Sequence, residues 1–228
     1  GRVEVIYLHP LSESEKQLGQ GCLLADLIEG KIKPEIACSQ ETIALLPHAV
    51  VSGGYPEPNT RSPARARQWY RQYLNAIIQR DVKDIAAIRD EHELLRLIEL
   101  LAYRTGSLLN LSNMSNDLGI GRETVEKYLL ILERLFLVRR LPAWHRNQAK
   151  RLVKTPKIHV VDSGLAAALN RLGVSDWYTH STEFGALLES FVVQQLICQS
   201  GWLDYDLHFS HYRDKDQVEV DLVIEQGR

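Results

Sequence analysis

The sequence contains no run of about 18 apolar residues, the length a membrane-spanning helix needs. Its opening, GRVEVIYLHP, lacks the basic, apolar, small-residue order of a signal peptide. A cytoplasmic protein with no membrane partner is expected. Cysteine is sparse: Cys22, Cys38 and Cys198 are scattered, odd in number and outside any close metal-ligand spacing, which argues for reduced structural thiols. A P-loop, Gly-x-x-x-x-Gly-Lys-Ser/Thr, is also absent, since GQGCLLAD and IEGKIKP do not fit it. Without backbone amides and a lysine to cradle phosphates, this stretch should not hydrolyse ATP by itself. No internal repeat and no low-complexity tract is present.

What is there is an ordinary globular composition, 45% apolar and 25% charged over 228 residues, enough for one large or two small cores. The net charge of -2 hides an uneven distribution. Arg139 to Lys157 holds seven Lys or Arg residues and no acid, whereas from Glu183 onward nine acids face three bases. A basic segment of this kind is either a solvated loop or a surface for phosphates.

Three segments are legible. In the first, VEVIYL alternates as a short strand, and Ser12 and Glu15 have the spacing of a capping box that starts a helix. Prolines 34, 47, 56, 58 and 63 then punctuate the chain, SGGYPEP reads as a turn, and residues 61–85 read as a helix with Trp69, Tyr73, Ala76, Ile77 and Ile85 on one side. In the second, Leu94, Leu97, Ile98, Leu101 and Ala102 stripe one helix. Ser112 begins a short helix ending at Gly119, and Gly121 and Arg122 begin a third with Val125, Leu129, Leu132 and Phe136 in a stripe. Two β-segments around the loop HRNQAK follow, so the order is that of a winged helix-turn-helix. The third segment offers a helix from Gly185 to Cys198 and a hairpin, HFSHYR and VEVDLVIE, around a turn at residues 214–217.

Two chemistries are open to these residues. The third helix shows Arg122, Glu123, Glu126, Lys127, Glu133 and Arg134, a mixture whose acids weaken base readout. The wing is better suited to DNA: Arg139, Arg140, Arg146, Lys150, Arg151, Lys154 and Lys157 could meet backbone phosphates, with Trp144 and His145 for stacking. The alternative is a structural or protein-contact module. For metal-dependent nuclease chemistry, Glu189 on a helix and Asp221 on the following hairpin are the candidate catalytic and metal-ligating carboxylates, with Glu219 on the same strand face. The Glu-x-Lys strand such a site uses does not follow Asp221 within Leu222 to Arg228. An exposed acidic face, with Glu189 capping a helix or pairing with Arg213, is the plainer alternative.

Taken in order, GRVEVIYLHPLSESE, SGGYPEP, RDV, GSLLNLSNMSNDLGIGRETVEKYLLILERLFLV, KTPKIHVVDSGLAAAL, LLESFVVQQL and EVDLVIE resemble a large family of prokaryotic AAA+ superfamily ATPases. The resemblance covers nearly the whole chain. It implies an α+β, mostly α protein: the end of an AAA+ core and a helical lid remnant over 1–87, a winged helix over 88–160, and an incomplete α/β restriction-endonuclease-like domain over 161–228. The P-loop would lie upstream and a Glu-Val-Lys strand downstream, so a fragment trimmed at both ends is expected. ATP and Mg would belong to the full-length protein, and Glu189 and Asp221 match the family's helix Glu and strand Asp. Arg80 and Asp81 match its Arg-Asp-Val, which makes Arg80 a candidate nucleotide-sensing arginine finger, against a helix-end salt bridge. The implied role is the regulatory, DNA-binding C-terminal portion of an AAA+ ATPase, partnered by DNA, by the upstream ATPase domain and by further copies in a homo-oligomer. A nuclease lacking its last motif, or a protein-interaction module, remain the alternatives.

Overall fold

The computed structural model describes residues 7–19, 21–33, 39–85, 90–147 and 154–227, the stretch 81–85 by backbone alone. The expected strand VEVIYL falls largely outside these residues, as do Lys150 and Arg151 and the side chain of Asp81. The protein is mixed α+β and mostly helical, with two small antiparallel sheets.

In the first segment, the Ser12 hydroxyl accepts from the Glu15 amide at 3.2 Å while the Glu15 carboxylate accepts from the Ser12 amide at 2.7 Å. This capping box starts α1, Glu13–Lys16. Helices α2 (Leu23–Ile28), α3 (Gln40–Ser52), α4 (Pro56–Asn59) and α5 (Pro63–Ile85) follow. The prolines punctuate less than their number suggests. Pro56 opens α4 at its first position, where a missing amide costs nothing, and α3 runs through Pro47, whose ring is buried. On α5 the core side is Tyr70, Leu74 and Ile78, one residue along from the expected stripe, and Trp69 stacks on Tyr73 beside it at 4.8 Å.

Helices α6 (Glu91–Tyr103), α7 (Leu111–Leu118) and α8 (Arg122–Arg134) come next. Asn110 rather than Ser112 caps α7, its side chain accepting from the Asn113 amide at 3.0 Å. Helix α8 stops before Phe136, which takes φ 56° and turns outward, so that Leu137 fills the core position instead. Strand β1 (Val138–Leu141) then pairs antiparallel with β2 (Lys157–Val160). Helix α9 (Ser163–Leu169), a 3-10 turn (Val174–Asp176), the long helix α10 (Ser181–Ser200) and the hairpin β3 (Leu207–Arg213) and β4 (Glu219–Gln226) complete the described chain.

One cluster of buried apolar side chains crosses all three segments, from Val50 and Tyr70 through Leu97 and Leu129 to Leu165 and Phe191. A second, smaller one joins Leu141, Val193 and Ile197 with Phe209 and Leu222 of the hairpin. Polar ties between segments are equally long-range. Asp162, fully buried, accepts from the Gly54 amide at 2.6 Å and from the Leu165 amide at 2.8 Å, and so caps α9 while seating the SGGYPEP loop. Gly53 adopts φ 64°, and any Cβ there would collide with the Asp162 carboxylate. The N-terminal segment lies along α10: the Glu13 amide donates to Gln195 at 2.8 Å and the Leu24 amide to Gln199 at 2.9 Å.

Candidate functional site

Strand alternation decides which side chains meet. The β1–β2 register places Arg139 opposite His159 and Leu141 opposite Lys157. Paired residues leave an antiparallel sheet on the same side, and successive residues leave on opposite sides. Leu141 packs on Val193 and Ile197, so this side is the one α10 covers. Val138, Ile158 and Val160 join the main helical core on the other side.

Lys157 is therefore carried into the protein rather than out to a phosphate. Its side chain is 3% exposed, and its Nζ lies 2.8 Å from Oε1 of Glu189, 2.6 Å from Oε1 of Glu219 and 2.8 Å from Oδ1 of Asp221. Glu219 and Asp221 are two apart on β4 and so project together. Burial opposes charge on this lysine, yet the hydrogen bonds it donates to Asp221, Glu189 and Glu219 outweigh it and hold the ammonium above the usual lysine range. The ammonium is shared among three acids, so burial prevails at the most enclosed of them: Glu189 is pushed up to about 7 despite its bond to Lys157. Gly106, at φ 77°, backs this carboxylate so closely that a Cβ there would stand 3.2 Å from Oε2.

His159 extends the cluster inward. Its Nδ1 lies 2.9 Å from the Ser190 hydroxyl, which lies 2.8 Å from the Thr105 hydroxyl. The Thr105 oxygen in turn accepts from the Val160 amide at 3.1 Å. Nε2 of His159 has no hydrogen-bond partner and stands 3.9 Å from Oε1 of Glu189. Burial, and then the positive charge of Lys157, lowers this imidazole to about 3, so it is neutral. His211, at the irregularity of β3, fixes the hairpin from the other side: its amide donates to the Pro142 carbonyl at 2.9 Å and its carbonyl accepts from the Trp144 amide at 2.6 Å.

The two candidate carboxylates thus do converge, and Glu189 pairs with Lys157 rather than Arg213, which lies 3.7 Å from Glu219. Among the described residues, however, no group of three or more His, Cys, Asp and Glu side chains is disposed to hold a metal ion. The space between the acids is filled by the ammonium. The set does not fit a divalent metal, and no metal-dependent step follows from it.

The remaining basic candidates divide. Arg139 is turned inward, its Nη1 donating to Gln194 at 3.0 Å, and burial lowers its pKa. Arg140 faces α8, where it meets Glu126 at 2.8 Å and Glu133 at 3.0 Å. Arg146 is exposed and Lys154 half-exposed, and Trp144 lies edge-on to Tyr212 at 5.9 Å. Arg80 lies on the exposed side of α5. The residues the sequence reading passed over are His159, Ser190, Thr105 and the inward course of Lys157. The alternation Lys157-Ile158-His159, a strand with both polar residues on one side, is the signal that pointed to them.

Residues 43–176 match a family described as a domain of unknown function, DUF8612, and residues 184–228 match a second, DUF4143. The latter is a domain often found C-terminal to AAA ATPase domains. An uncharacterized protein of Mycobacterium tuberculosis is 28% identical over 176 residues, which are 76% of this chain and 38% of that protein. One of Mycobacterium bovis matches to the same extent, and an uncharacterized Haemophilus influenzae protein is 29% identical over 118 residues, 50% of this chain and 30% of its own length. The chain spans less than two fifths of the curated relatives it matches. No solved structure shows a significant match. The match to the first family covers more than half of the 228 residues, and the chain belongs to the DUF8612 family.

Proposed function

We propose that this chain is the regulatory, DNA-contacting C-terminal portion of an AAA+ ATPase, in which α6, α7, α8, β1 and β2 act as a winged helix and ATP and Mg are handled by an upstream domain of the same protein. The observation that carries this reading is a groove of about 580 Å³ where the start of α7, the start of α8 and the wing come together, lined by Asn110, Ser112, Arg122, Arg140 and Lys154. Gly121 caps α8 without any side-chain hydrogen bond, so the first-turn amides of a 13-residue helix remain available beside Arg122. Glu126, the one acid among the described residues lining the groove, is already paired with Arg140. A backbone phosphate is the ligand that such amides and cations recognise in common. The match of residues 184–228 to a domain often found behind AAA ATPase domains supports the larger context.

The test is duplex binding followed by fluorescence anisotropy across a salt series. Replacing Arg122 and Lys154 together by Ala should weaken binding to all sequences alike and lower the salt slope by about 2, one per lost phosphate contact. Unchanged affinity and slope in a folded double variant would overturn the reading and leave the face to a protein partner.

A further inference from the structure

The restriction-endonuclease-like arrangement implies a divalent metal between Glu189 and Asp221, and the geometry here disagrees. We propose that Lys157 is the resident cation of this site, its ammonium standing where such a metal would, so that the cluster is a metal-independent clasp joining the wing to α10 and the terminal hairpin. An ammonium has three donors, and here three carboxylate oxygens on two elements stand within 2.8 Å of it. All of its hydrogen-bonding capacity is used. A metal entering between the acids would have to expel a charge whose stem is sealed between α10 and the sheet, leaving it buried without a partner.

The surroundings show what the ammonium replaces. Without it, three carboxylates and the unpartnered Nε2 of His159, a side chain only 3% exposed, would face one space. Left without a cation, three carboxylates in one space would repel one another. Arg213, 3.7 Å from Glu219, reaches the outer edge of the cluster and does not enter it. The inference is independent of DNA binding, because none of Lys157, Glu189, Glu219 and Asp221 lines the groove assigned to phosphates.

The experiment uses the whole chain and manganese as the probe, with binding read by electron paramagnetic resonance and stability by thermal unfolding. The wild-type protein should retain no stoichiometric Mn²⁺ and show the same midpoint with and without millimolar Mg²⁺ or Mn²⁺. In nitrogen-15 spectra, its Lys157 ammonium signal should persist unchanged when Mg²⁺ is added. Lys157→Met should unfold at lower temperature, and Mn²⁺ should not restore its midpoint. Saturable Mn²⁺ binding by the wild type that Glu189→Gln abolishes would overturn the proposal, as would a folded Lys157→Met whose midpoint is unchanged. Should Lys157→Met not fold, the wild-type manganese and nitrogen-15 measurements decide alone: loss of the ammonium signal on adding Mg²⁺ refutes the clasp.

Discussion

Arg139 and Arg140, neighbours in the chain, are sent to opposite sides of strand β1: Arg139 to Gln194 of α10 and Arg140 to Glu126 and Glu133 of α8. A pair that looks like one basic patch is thus two unrelated contacts. Arg139→Ala should lower stability by about 2 kcal/mol, the scale of a charged hydrogen bond lost with its packed stem. Duplex affinity should stay unchanged, and urea unfolding alongside anisotropy measures both.

The acids that hold Arg140 set how much of its charge a phosphate can use. Burial pushes the Glu133 carboxyl upward, with Arg140 opposing. Glu126→Gln combined with Glu133→Gln should tighten duplex binding several-fold and steepen the salt slope by about 1. An unchanged slope would mean that Arg140 does not reach the phosphates.

Asp162 joins the SGGYPEP loop to α9 through two backbone amides. Its removal in Asp162→Ala leaves both amides buried and unsatisfied, at roughly 1–3 kcal/mol each. Asp162→Asn keeps one acceptor oxygen and should cost about half as much. Chemical denaturation of the two variants gives the ratio.

Acid should destabilise the protein through His159. Its folded pKa of about 3 lies below the ordinary 6.5, so the unfolded chain takes up the proton first, and stability present above pH 6.5 is lost as pH falls towards 3. Glu189 acts in the opposite sense: its pKa of about 7 lies above 4.5, and the stability it gives at low pH is lost as pH rises through 7. The two offset each other between pH 4.5 and 6.5. Below that window Glu189 no longer opposes His159, whose own slope is about 1.4 kcal/mol per pH unit, and His9 and His211, also lowered by burial, act in the same sense. Urea midpoints across this range should fall steeply for the wild type and less so for His159→Gln.

Burial, and then Glu15, pushes the Cys198 thiol up to about 12, while Cys22 is half-exposed. Iodoacetamide at neutral pH should label Cys22 and spare Cys198 until the chain is unfolded, which peptide mass spectrometry reads directly.

The helices were legible because their signals are local. The Ser12 and Glu15 capping box, the Leu94 to Ala102 stripe and Gly119 as a left-handed cap each declare themselves within a few residues. The α5 face was displaced by one residue because Trp69 and Tyr73 stack on one another at the rim while Tyr70 and Leu74 take the core. The partners of Glu189 and Asp221 were hidden for a different reason. Their lysine comes from a strand 32 residues before Glu189 and 64 before Asp221, and only tertiary packing brings those positions together. Composition showed a basic segment; pairing register alone could show that Arg139 and Lys157 share the side of their sheet that α10 covers.

The hold of α10 on Glu13 and Leu24 has a consequence for the order in which a ribosome releases the chain. The Glu13 amide waits 182 residues for Gln195, and the Leu24 amide 175 for Gln199. Leu24, fully enclosed in the finished protein, is made long before the α10 residue that holds its amide. The α6 to α8 bundle, with its short-range contacts, can settle in the meantime. Docking of the Glu13 and Leu24 amides is therefore a late step of synthesis, which the middle of the chain need not await.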